Sequence, residues 1–85
     1  MKTRLSRTQL LAEIAGWYGT AAILLAYILV SFNAISGNDI TFQLLNLTGA
    51  IGFIIIASYK KVKQTVVLNA FWGAIAVVAI LNILW

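Results

Sequence analysis

Three long apolar blocks, residues 10–35, 40–59 and 65–85, follow one another in this chain with only short polar breaks between them. A helix rises 1.5 Å per residue, so about 20 residues cross the roughly 30 Å hydrocarbon layer of a bilayer, and each block reaches that length. Of the 85 residues, 62% are hydrophobic and 9% are charged. No soluble core of this size hides so much apolar surface. The pattern predicts an all-α membrane protein, a bundle of three transmembrane helices.

The breaks divide the chain. Residues 1–9 form a basic N-terminal segment, 10–35 the first span, 36–39 a loop, 40–59 the second span, 60–64 a basic loop and 65–85 the third span. Ser6 with Gln9 has the form of a capping box, which starts the first helix ahead of its apolar block. Asn38 or Asp39 is placed to cap the second helix. A cleaved signal peptide is the competing reading of the N-terminus, but the first apolar stretch is too long for one and two more spans follow. Connections this short make the helices sequential antiparallel neighbours.

The six basic residues, Lys2, Arg4, Arg7, Lys60, Lys61 and Lys63, all flank apolar blocks. They fall in the two segments that three spans place on one side, whereas the first loop carries only Asp39. The positive-inside rule then predicts a cytoplasmic N-terminus and a C-terminus outside. Basic residues so placed serve topology and membrane lipid, and no nucleic-acid partner is expected. With no Cys, no His and two acids, Glu13 and Asp39, disulfides and metal sites are not expected. No cofactor is expected either, and no nucleophile and base pair into a catalytic set, so the chain is not expected to be an enzyme.

At about 100° per residue each helix carries one polar and small stripe. The first holds Glu13, Gly16, Thr20, Tyr27 and Ser31; the second Gln43, Asn46, Ala50, Phe53 and Ala57; the third Thr65, Asn69, Gly73, Ala76 and Ile83, with Trp72 at its border. A lipid-facing amide has no partner, so the stripes turn inward. Gly16, Gly19, Gly49, Gly52 and Gly73 are candidates for close helix packing or hinges. Asn46, Asn69, Trp72, Trp17, Tyr27 and Gln43 are candidates for contact with a solute. Asn46 and Asn69 lie about 14 Å apart in depth, too far to satisfy each other, so each amide needs a further partner. Glu13 is read either as an interfacial partner of Arg7, Lys60 or Lys61, or as a coupling carboxylate.

The runs Gly16-Trp17-Tyr18-Gly19, Ala26-Tyr27-Ile28-Leu29, Gln43 to Ala50 and Val66 to Trp72 resemble a family of small bacterial three-span proteins, uncharacterised and labelled permease-like. That resemblance implies a bacterial inner membrane. In layout the chain is also similar to the SemiSWEET half-transporters of the PQ-loop superfamily, three-helix bundles that act as parallel homodimers. Their sugar site uses Trp and Asn side chains, including an Asn early in the third helix, where Asn69 stands and Trp72 lies nearby. The chain has no proline, so the Pro-Gln hinge of those proteins is absent, and Gly16, Gly19 and Gly49 would have to serve as hinges.

Three helices alone enclose no aqueous pocket, whereas two copies supply six helices around a shared axis. The expected assembly is a six-helix parallel homodimer, a half-transporter for a small polar solute. The alternative is a non-transporting assembly or regulatory subunit that packs against other transmembrane helices.

Overall fold

The computed structural model describes residues 6–85 and contains three α-helices: α1 (Arg7–Ser31), α2 (Ile40–Tyr59) and α3 (Lys63–Leu84). Each is long and apolar enough to cross a membrane. Local chemistry sets their starts. The Ser6 hydroxyl accepts from the Gln9 amide at 3.0 Å, and the Asp39 carboxylate accepts from the Thr41 amide at 2.8 Å. Each side chain satisfies one backbone donor that the first turn leaves free.

Left-handed residues set the ends of the first two helices. α1 stops at Ser31 rather than continuing to Ile35, because Asn33 takes φ 61° and turns the chain. The amides of Asn33 and Ala34 then donate to the carbonyls of Val30 and Leu29 at 3.0 and 2.8 Å. α2 ends the same way, with Lys61 at φ 62° and the amides of Lys61 and Val62 reaching Ser58 and Ala57 at 3.2 and 2.8 Å. These are Schellman closures, in which crossed bonds satisfy the last carbonyls. Asparagine suits that conformation; lysine does not.

The second closure is so short that α3 begins at Lys63, two residues before the apolar block, and it carries no side-chain cap. Antiparallel connection brings the start of α1, the end of α2 and the start of α3 to one basic end of the molecule.

Packing places α2 in the centre. α1 and α3 each lie along α2, but no Cα of α1 comes within 8 Å of one in α3. Among the described residues the buried apolar ones are all alanines, Ala12, Ala22, Ala26, Ala50, Ala57 and Ala76, and they are joined by five glycines. Among the described residues no large side chain is fully enclosed, while bulky residues such as Leu24, Ile51, Ile75 and Val78 face outward. Such a distribution suits a bilayer, where lipid tails solvate aliphatic side chains and backbones approach through small residues.

α1 and α2 are closest at their glycines. A β-carbon on Gly19 would sit 2.7 Å from the Gly49 carbonyl oxygen, and one on Gly16 would sit 2.8 Å from Ile56. One on Gly52 would overlap the Ala15 carbonyl, and one on Gly49 would meet Ile23 at 2.7 Å. Gly73 differs: an added methyl would meet only Ala50 and Leu47, both at 3.7 Å, which is ordinary contact.

Candidate functional site

Because α1 and α3 both lie along α2 without their backbones approaching each other, a cleft of about 310 Å³ opens between them near the basic half of the molecule. Ile23 of α1, Phe53 of α2, and Thr65, Leu68, Asn69 and Trp72 of α3 line it. Helical spacing places Thr65, Leu68, Asn69 and Trp72 together, since steps of three and four residues return to one face. The contact at Gly49 brings Ile23 to the opposite wall, and Phe53 forms the floor.

Of the sequence-derived candidates, this cleft joins Asn69 and Trp72. Asn69 is 7% exposed, and its amide nitrogen donates to the Thr65 carbonyl at 2.9 Å. That bond lies within one helix. The expectation that this amide needs an outside partner is therefore corrected for its nitrogen, because a backbone carbonyl one turn back serves. Trp72 is about half exposed along the edge of the cleft.

Asn46 lies on the Phe53 stripe of α2, two turns toward the other end and about 10 Å away along the axis. It is 8% exposed and makes no side-chain hydrogen bond among the described residues. No fully enclosed side-chain nitrogen or oxygen there lacks a partner, so the Asn46 amide keeps access to its surroundings.

Other candidates lie apart from the cleft. Trp17 and Tyr27 are 70% and 69% exposed and do not line it. Gln43 donates from its side-chain nitrogen to the Gly37 carbonyl at 2.9 Å, tying α2 to the loop before it. The Glu13 carboxylate pairs with the Lys60 ammonium at 3.1 Å, one of the interfacial partners expected for it. Gly16, Gly19, Gly49 and Gly52 lie at the closest approach of α1 to α2, inside continuous helix.

One contact escaped sequence reasoning. The Tyr18 hydroxyl lies 2.6 Å from Thr48 Oγ1, which itself donates to the Leu44 carbonyl at 2.8 Å. A threonine hydroxyl has one proton, so Tyr18 is the donor across the α1–α2 contact. The signal was present in the register, since each residue immediately precedes a contact glycine, Gly19 or Gly49.

The cleft walls are almost wholly apolar carbon, and among the described residues no group of three His, Cys, Asp or Glu side chains gathers to hold a metal. The arrangement can seat an apolar or aromatic surface, with the Trp72 ring along its edge.

A family model matches residues 12–85, and the family is an uncharacterised one. No curated protein and no solved structure matches the chain. These comparisons give no support to the similarity to SemiSWEET half-transporters.

Proposed function

We propose that this chain, which belongs to the uncharacterised family matched over residues 12–85, is one half of a membrane assembly completed by a second copy. The observation that carries this reading is the cleft over α2: the backbones of α1 and α3 stay more than 8 Å apart, and Phe53, Asn69 and Trp72 line the space between them, with Asn46 two turns along the Phe53 stripe. In lipid, a face carrying amides is better covered by other helices than by acyl chains. A second copy with the same basic bias inserts the same way round, so the two copies are parallel, N-terminus in the cytoplasm and C-terminus outside. The inner membrane of a bacterium is the setting implied by the resemblance to small three-span proteins.

Six helices around the shared face would enclose a path for a small polar solute. Asn46 and Asn69 would hydrogen-bond it and Trp72 would stack on it, and the half-transporter is the function preferred here. A second reading is favoured by the apolar cleft walls and by the internal bond of Asn69. There the face receives a helix of another membrane protein, and the chain acts as an assembly or regulatory subunit.

The absence of cysteine makes one experiment decisive. Leu68→Cys places a thiol on the cleft wall and Val67→Cys places one outside that cleft. In native membranes a short bifunctional thiol reagent should join Leu68→Cys chains to one another and leave Val67→Cys chains single. No self-crosslinking at Leu68→Cys would sink the homodimer. Leu68→Cys chains that react with a small water-soluble thiol reagent applied before crosslinking, and so fail to crosslink afterwards, support a solute path; chains that resist it and still crosslink support the packed assembly.

A further inference from the structure

A second cleft, of about 460 Å³, lies at the basic end where α2 turns into α3, and it is lined by Ala57, Ser58, Lys61, Val62, Lys63, Val66 and Val67. Its lining shares no residue with that of the cleft beside Phe53. On α3, Val66 and Val67 point away from the face that carries Thr65, Leu68 and Trp72.

Charge at this cleft is unbalanced. Lys60 is engaged with Glu13 at 3.1 Å. Lys61 and Lys63 make no ion pair among the described residues, and the other acid, Asp39, caps α2 at the opposite end of that helix. Lys61 and Lys63 therefore line, together with Ala57, Val62, Val66 and Val67, a largely apolar trough at the end of a membrane-length helix pair, and their long side chains can carry an ammonium group to its mouth. Lys61 holds a left-handed conformation that glycine or asparagine would adopt more readily. The turn accepts that strain at a position that lines the cleft.

We infer that this cleft binds an anionic phospholipid, with the headgroup phosphate between Lys61 and Lys63 and an acyl chain lying along Val62, Val66 and Val67. A charged head and an apolar tail on one molecule match the two chemistries that the cleft presents side by side. Basic pockets between membrane helices are suited to such headgroups. Ser58, also on the lining, supplies a neutral hydroxyl that donates to a phosphate oxygen. The inference requires only that the helices span a bilayer, and it stands whether or not the chain transports a solute.

Native mass spectrometry of the protein from detergent, titrated separately with phosphatidylglycerol and phosphatidylcholine, tests this. The intact protein should retain phosphatidylglycerol in preference. The double variant Lys61→Gln, Lys63→Gln should lower that preference by about ten- to thirty-fold, as expected for two lysines beside an anionic headgroup. The charge-matched double variant Arg4→Gln, Arg7→Gln should retain it. Val66→Trp, which fills the trough without altering charge, should also reduce lipid adducts. Equal retention of the two lipids by the intact protein, or equal losses in the two charge variants, would overturn the inference. Full retention by Val66→Trp would do the same.

Discussion

The Tyr18 hydroxyl donates to Thr48 Oγ1 at 2.6 Å and so ties α1 to α2 beside their glycine contact. Hydrogen bonds between membrane helices contribute about 0.6 kcal/mol on average and up to about 1.7. Tyr18→Phe should therefore lower stability within that range, as read by thermal unfolding in detergent. Thr48→Val should lose a similar amount, and the double variant should lose less than the sum, because both changes remove one shared bond. Additive losses would show that the pair does not couple.

The glycines should separate into two behaviours. A methyl on Gly52 or Gly19 meets backbone carbonyl oxygen, which cannot move without shifting a helix. Gly52→Ala and Gly19→Ala should each destabilise α1–α2 packing by about 1–3 kcal/mol, the usual range for overpacking. Gly73→Ala meets only ordinary contact at 3.7 Å and should be neutral or slightly stabilising, because alanine favours helix. Equal unfolding temperatures for Gly52→Ala and Gly73→Ala would contradict the packing described.

At the turn between α2 and α3, Lys61 occupies φ 62° without the freedom of glycine. Lys61→Gly should stabilise the fold by up to about 1 kcal/mol when measured in zwitterionic detergent without anionic lipid. Asn33→Gly should gain less, since asparagine tolerates the same region. A loss of stability in Lys61→Gly would mean that the lysine side chain supports the turn directly.

Asn69→Ala removes a hydrogen bond made within its own helix, to the Thr65 carbonyl at 2.9 Å. The folded chain should lose less than about 1.5 kcal/mol, the upper end for a typical hydrogen bond. If the half-transporter reading holds, the same variant should abolish solute uptake in reconstituted vesicles while the dimer survives. Uptake equal to that of the unaltered protein would remove Asn69 from the path.

Much of the local structure was legible in the residues. Ser6 and Asp39 mark helix starts because a short acceptor before an apolar run satisfies nearby amides whatever the tertiary structure. The end of α1 was not legible: Phe32, Ala34 and Ile35 are as apolar as helix interior, and the left-handed Asn33 among them closes the helix by geometry that hydropathy does not register. The candidate site divided similarly. Asn69 and Trp72 share a cleft with Phe53, as stripe reasoning could anticipate, whereas Trp17 and Tyr27 lie outside it and Gln43 holds the loop at Gly37. A stripe identifies which residues share a helix face; it does not say how far around the helix the neighbouring helix extends.

By itself the sequence determined three apolar helices of membrane length, their antiparallel order and the gathering of basic residues at one end. These follow from block length, caps and short connections, all of them local. Only the tertiary structure decided that α2 is central, that α1 and α3 stay apart, and that four glycines set the closest contact. The physical reason is the solvent. In lipid an outward leucine and an inward leucine have nearly the same surroundings, so hydropathy cannot identify the packed face, and the fit of small residues against backbone decides it.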